Sequence, residues 1–244
     1  YNVHAWRDSE HRCNFDRIVQ AVQDMQPDIL CLNEVLHPFA RPSTSSSLRL
    51  PQVEVDQYYQ QVKNKRGRDN PINECFILAQ ERQAFLHRLS EASHLQNLEF
   101  AAATDNSFFG QGVSFGNAIL TSLPIVQCLH CQLHVEAGDL ELGNQERSFV
   151  DPRALRAAKL LIQEDQPIAV VFGHLDHKSE ELRGKQMRRG LEGLVPLLKD
   201  MPLFVCGDLN TFQKSDYNGK GWQAILDLYQ KNIWLAPAEW SLVL

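Results

Sequence analysis

Two kinds of hydrophobic pattern alternate along the chain. From Asn14 to Met25, Phe15, Ile18, Val19 and Val22 recur at helical spacing. This predicts an amphipathic helix with Asn14 at its N-cap and Pro27 beyond its end. The run that follows, "DILCLNEV", is almost continuously apolar, as in a strand covered on both faces. Residues 1–6, "YNVHAW", alternate and predict a strand before the helix. Strand, helix and strand in close succession predict a βαβ unit, with a parallel pair and a right-handed crossover.

Further on, a helix is predicted from about Glu81, then a strand in "NLEFAAAT". "GNAILTSLPIVQCLHCQLHV" predicts two strands joined by a turn at Ser122, Leu123 and Pro124. "RALRAAKLLIQ" and "PIAVVFGHLDH" predict another strand pair, although the first also has the composition of a helix. "SEELRGKQMRRGLEGLVPLLK" predicts a helix with Ser179 and Glu180 at its start. "PLFVCGDLN" predicts a buried strand, and "GWQAILDLYQK" a last helix. Residues 37–72 change character: "HPFARPSTSSSLRLP" and "KNKRGRDNP" mark a surface insertion. There is no internal repeat. Hairpins mixed with βαβ predict an α/β or α+β sandwich around mixed sheet, one domain over residues 1–244.

Composition narrows the function classes. The 244 residues are 43% hydrophobic and 22% charged, which is ordinary for a globular chain. The net charge of −6 argues against a general nucleic-acid coat. No apolar run is long enough for a transmembrane span, and no leader pattern opens the chain. The six cysteines are too sparse for a disulfide scaffold and favour a reducing, intracellular compartment. Cys128 and Cys131 form a C-x-x-C with no second pair to complete a zinc set. Cys31 and Cys206 lie in apolar runs as buried small hydrophobes.

Polar residues at strand ends carry the chemistry. Asn2 lies in the first strand, Glu34 ends "ILCLNEV", His174 ends "AVVFGH", and Asp208 and Asn210 end "FVCGDLN". Buried strands rarely carry charge unless it is paired or bound to a metal. Each residue has a plain alternative: Glu34 paired with an arginine, His174 a satisfied core histidine, Gly-Asp-Leu-Asn an Asx-turn. A single site accounts for all of them together. Glu34 is a hard oxygen ligand for Mg²⁺, with the Asn2 amide oxygen beside it. Asp208 would orient or deprotonate a water, and Asn210 would donate to a phosphate oxygen. His174 would stabilise transition-state charge or protonate a leaving group. Asn117 and Arg153 would add phosphate donors.

The ordered series "YNVHAW", "PDILCLNEV", "FGNAILTSLPI", "DPRALRAAKL", "GHLDH" with "LRGKQM", and "GDLN" resembles the endonuclease/exonuclease/phosphatase (DNase I-like) superfamily over residues 1–210. The resemblance implies a layered sandwich of two mixed β-sheets flanked by helices. It also implies Mg²⁺, with Mn²⁺ as an alternative. By motif, Glu34 is the metal ligand with Asn2 beside it, and His174 stands near the scissile phosphate. Asp208 and Asn210 position water and phosphate, and Asn117 and Arg153 contact phosphate.

Two departures stand out. Asn33 replaces the family's usual glutamine before the metal-binding glutamate. The family's later Asp and Ser-Asp-His segment is not found in the 34 residues after Asn210. The chain therefore reads as truncated at both ends, or as a member that has lost part of its site. The expected activity is metal-dependent hydrolysis of a phosphate ester, with a nucleic acid the favoured substrate. "KNKRGR" (63–68) and "RGKQMRR" (183–189) are candidate basic contacts. A sphingomyelinase-like lipid phosphodiesterase is the alternative, with Phe108, Phe109 and Phe115 as an apolar loop. A non-catalytic binding protein on the same fold is the other.

Overall fold

The computed structural model describes residues 1–8, 10, 12–38, 85–103, 113–133, 139, 153–163, 166–194, 198–211 and 218–224. Its elements are a 3₁₀ turn at His4–Trp6, α1 (Phe15–Met25), β1 (Ile29–Pro38), α2 (Phe85–Ala92), β2 (Asn97–Ala102), β3 (Val113–Thr121), β4 (Ile125–Leu133), β5 (Arg153–Gln163), β6 (Gln166–His174), α3 (Glu180–Leu194) and β7 (Leu203–Asp208). They form a four-layer α/β sandwich. One sheet has the order β1-β3-β2 and the other β4-β5-β6-β7.

Burial explains the layering. On one face of β1, Leu30, Leu32 and Leu36 pack under α1 and α2, against Phe15, Ile18, Val22, Phe85, Leu86 and Leu89. Ile29 and Cys31, on the opposite face, join the core between the sheets. The same division runs along β6: Ile168, Val170 and Phe172 face the inter-sheet core, while Ala169 and Val171 face Leu194 of α3. A strand buried on both faces has no polar side, which is why both segments read as unbroken apolar runs. β5 adopts the same alternation despite its helix-forming composition, because Leu155 and Ala157 face one layer and Ala158 and Leu160 the other.

Several expectations need correction. Residues 1–6 are not a full strand. Asn2 makes a parallel bridge to Asn33, and His4, Ala5 and Trp6 then turn with φ of 46°, 55° and 63°. Trp6 drives that turn: it is fully buried, its Nε1 donates to Leu36 O at 2.9 Å, and its ring packs against Phe15 and Phe85. Asn14 occupies the N-cap position without capping, since its Nδ2 donates instead to Arg7 O. Ser179 does cap α3, accepting from Leu182 N at 3.2 Å. β3 and β4 are not a hairpin, because they lie in different sheets. β7 is not buried over its first half: Leu203, Phe204 and Val205 are 41%, 55% and 43% exposed.

Cys128 and Cys131, three apart on β4, pack into different cores on opposite faces and cannot chelate one ion together. Cys31 and Cys206 are half-buried rather than sealed, and their Sγ atoms lie 3.4 Å apart across the two sheets. The insertion, apart from His37 and Pro38 at the end of β1, lies outside the described residues, as do Phe108, Phe109, residues 63–68 and the last helix beyond residue 224.

His37 makes acid stability a test of this packing. Burial, and then the nearby His87, push its pKa down to about 4. Its ring stacks 4.7 Å from Phe100 and 5.9 Å from His87, and its Nδ1 is buried without a hydrogen-bond partner. The folded state therefore holds His37 neutral, while the unfolded chain takes up a proton below about pH 6.5. The stability contribution is complete above that pH and declines as pH falls toward 4. Between pH 7 and pH 5 the loss from this residue is about 2 kcal/mol. Urea denaturation at both pH values should show a smaller drop in His37→Leu than in the wild type.

Candidate active site

The site is assembled where two strand pairs end side by side. In the second sheet, β6, α3 and β7 form a parallel βαβ unit whose register pairs Gly173 with Gly207 and His174 with Asp208. Ligand sites in such units form beyond the carboxyl ends of the strands. Gly207 has φ +142°, and a Cβ there would lie 2.0 Å from Gly173 O. This position tolerates only glycine, and the close approach it allows sets His174 beside Asp208.

In the first sheet, β1 carries a bulge. Leu32 pairs with Ala118 and Val35 with Gly116, so Asn33 and Glu34 together oppose Asn117. A bulge re-aims the side chains it carries. Glu34 takes φ +56° and its carboxylate turns toward the histidines. Oε1 lies 3.9 Å from His174 Nδ1, and Oε2 lies 3.3 Å from His4 Nδ1. Among the described residues no arginine partners Glu34, whose close neighbours are the two histidines.

Asn33 locks the two sheets together. It is 1% exposed. Its Nδ2 donates to Asn117 Oδ1 and to Gly173 O, both at 2.8 Å, and its Oδ1 accepts from Asp208 N at 3.0 Å. The residue that departs from the family pattern thus ties the Glu34 bulge to the strand bearing Asp208. Asn117 is its counterpart. It is 2% exposed, and its Nδ2 donates to Ala154 O at 3.2 Å. Buried and bonded in this way, Asn117 is a strut between the sheets.

Asp208 is held from both sides. Oδ2 accepts from Asn2 Nδ2 at 3.0 Å, and Oδ1 accepts from Asn210 N at 3.1 Å. The second bond is an Asx-turn, so the turn and the site are one structure. Asn2 presents its nitrogen to the carboxylate, and its Oδ1 accepts from His4 N at 2.8 Å. This arrangement makes Asn2 a clamp on Asp208 rather than a ready metal ligand.

His174 stands between the two carboxylates, with Nε2 3.9 Å from Asp208 Oδ2. Its Nδ1 receives Arg153 Nη1 at 3.1 Å. Arginine can only donate, and the Asn210 Nδ2 that faces Nε2 is a donor too, so both ring nitrogens face N–H groups while a neutral ring can accept at one of them only. The Asn210 side-chain amide lies 2.9 Å from Nε2 and also donates to Leu175 O at 2.9 Å. Burial first, and then the Arg153 charge, push the His174 pKa down to about 3. The shift favours the neutral imidazole near neutral pH.

The structure thus brings Asn2, Glu34, Arg153, His174, Asp208 and Asn210 together. Sequence reasoning missed His4 and gave no role to His177, whose Nδ1 lies 3.3 Å from Arg153 Nη2. It treated Asn33 only as a shortened amide. The basic stretch 183–189 is largely used internally. Arg183 is buried and donates to Asp176 O, while Lys185 and Arg189 pair with Asp139.

The donor set suits a hard divalent cation. Such ions bind through one or two carboxylates, completed by water and substrate oxygens, rather than in an all-protein cage. Glu34 is the carboxylate whose oxygens face the histidines, and no cluster of three or more His, Cys, Asp or Glu forms a closed cage among the described residues.

Fold and site together define a layered α/β protein with a cluster of polar residues at its strand ends. The chain belongs to the Endonuclease/Exonuclease/phosphatase family, matching it over residues 2–226. It is similar in fold to the endonuclease/exonuclease/phosphatase from Beutenbergia cavernae, at 16% identity over 88% of this chain and 48% of that one, with a TM-score of 0.52. A family protein from Leptotrichia buccalis is also 16% identical, over 93% of this chain and 70% of that one, with a TM-score of 0.52. The chain therefore spans about half the length of the first of these. No curated protein matches it. No helix among the described residues is long and apolar enough to cross a membrane.

Proposed function

We propose that this chain carries the catalytic centre of a divalent-metal-dependent phosphodiesterase, with Mg²⁺ or Mn²⁺ at Glu34. The observation that carries the reading is the placement of two carboxylates on either side of one buried histidine, each at 3.9 Å. A bound cation would supply Lewis-acid polarisation of a phosphoryl oxygen and charge neutralisation. Asp208, clamped by Asn2 and by the Asn210 backbone, keeps acceptor capacity on its oxygens to orient a water and take its proton. His174 stands where a ring N–H would meet the charge that develops on the phosphoryl group, and Arg153 holds the ring through Nδ1 and leaves Nε2 turned toward Asp208. Asn210 places a second amide beside the same atom.

Nucleic acid is the substrate class to test first. Its support is the family and not the 183–189 helix, whose basic residues are largely occupied. The test is hydrolysis of bis(p-nitrophenyl) phosphate by the intact protein with Mg²⁺ or Mn²⁺, followed by DNA, RNA and sphingomyelin. Metal-dependent turnover lost in Glu34→Gln supports the reading. A folded protein with neither turnover nor metal binding would replace it with a binding module.

A further inference from the structure

We infer that His4 is a second protein ligand to the cation at Glu34, and that it biases the site toward cations that accept imidazole, such as Mn²⁺, Co²⁺ or Zn²⁺, over Mg²⁺. The inference rests on the proposed metal-dependent reading and adds a residue and a selectivity to it.

The donor separation is the first argument. His4 Nδ1 and Glu34 Oε2 are 3.3 Å apart. Two donors each bonded to one ion at about 2.1 Å lie about 3.0 Å apart at an octahedral angle and about 3.4 Å apart at a tetrahedral one. An ion can be seated between these two atoms with almost no movement of either residue.

Backbone anchoring is the second. The His4 N–H is held by Asn2 Oδ1 at 2.8 Å, and the turn that presents His4 is pinned by the buried Trp6. Glu34 sits on the bulge that Asn33 secures on both sides. His4 and Glu34 both hold left-handed φ angles, 46° and 56°. A non-glycine residue pays for this conformation only where the surroundings enforce it.

The third argument is elimination within the site. The other histidine near Glu34, His174, already receives Arg153 at the nitrogen that faces the carboxylate, so it is not positioned as a ligand. Asn2 turns its nitrogen to Asp208. His4 is the imidazole directed at Glu34 whose side chain is also half-exposed, at 56%, so an entering cation can reach it. Imidazole is a better ligand for transition-metal ions than for Mg²⁺, by a margin that is smallest for Mn²⁺ and grows through Co²⁺ to Zn²⁺, whereas water and carboxylate alone suit Mg²⁺.

The test uses Mn²⁺ as the probe on the intact protein, with wild type, His4→Ala, His4→Gln and Glu34→Gln compared, and circular dichroism to check folding. Electron spin echo modulation of bound Mn²⁺ should show ¹⁴N coupling in the wild type and none in the His4 variants. Mn²⁺ affinity should fall on the order of 10-fold or more in both His4 variants, with Mg²⁺ affinity, read by competition, changing by less than about threefold. Mn²⁺ bound without ¹⁴N coupling, or with unchanged affinity in folded His4 variants, would overturn the inference. If Glu34→Gln still loses binding in that case, the Glu34 reading stands and His4 is only an ion-pair partner. Absence of Mn²⁺ binding in the wild type would overturn both.

Discussion

Replacing Asp208 with alanine should lower kcat for phosphodiester hydrolysis by about 10²–10⁴, the range for loss of a positioned general base. KM should change much less, because Asp208 is assigned to the attacking water and not to the substrate. The geometry makes this residue more than one polar group among several. Its Oδ2 takes the Asn2 amide and its Oδ1 takes the Asn210 backbone, so its orientation is fixed before substrate arrives. The Gly173–Gly207 contact fixes the strand beneath it. Asp208→Asn is the informative companion. It keeps an oxygen for the Asx-turn and a similar shape, but loses the capacity to accept a proton. Steady-state kinetics and thermal melts on both variants separate the cases. A folded Asp208→Asn with nearly normal kcat would remove Asp208 from the chemistry and leave it as the turn residue it also is.

The elements legible in the sequence were those with burial on two faces or a clean helical stripe. α1 follows from Phe15, Ile18 and Val22, and β1 and β6 from runs without a polar side. Less legible were features decided by tertiary context. The three residues 122–124 connect β3 to β4 whether the strands pair or pass between sheets, and here they pass between sheets. The alternation of "YNVHAW" predicts a strand, but Trp6 gains more by entering the α1–α2 core, and the chain turns to let it. Burial of β7 was read from composition, which does not distinguish a central strand from one whose outer half is exposed.

The site divides in the same way. Glu34, His174, Asp208 and Asn210 were visible because charge and amide groups at the ends of apolar strands are costly without a purpose. Their mutual positions came from a bulge and a parallel register, neither of which leaves a local signature. Asn117 shows the effect of that bulge. Its chemistry suits a phosphate, but the bulge places it inside, opposite Asn33. His174 kept its place between the carboxylates, and burial, then Arg153, favours its neutral ring.

The residue where fold and site are hardest to separate is Asn33, and Asn33→Ala should be costly to both. Truncation leaves Asn117 Oδ1, Gly173 O and Asp208 N without the partner each has now. The Asn33 side chain itself is 1% exposed, and water has little room to replace it. An unsatisfied buried polar group costs about 1–3 kcal/mol, so a loss of about 3 kcal/mol or more in urea denaturation is expected. Activity should fall beyond what unfolding explains, because the same bonds set the distance between the Glu34 bulge and Asp208. Asn33→Gln, the amide more usual at this position in the family, separates the two effects. The longer side chain can restore the hydrogen bonds only if the sheets yield by about one methylene, an overpacking cost of about 1–3 kcal/mol. Recovery of activity in Asn33→Gln without full recovery of stability would show that the amide bridge, rather than its fit, aligns the two carboxylates. Full activity in Asn33→Ala would mean that the bulge holds Glu34 in place unaided.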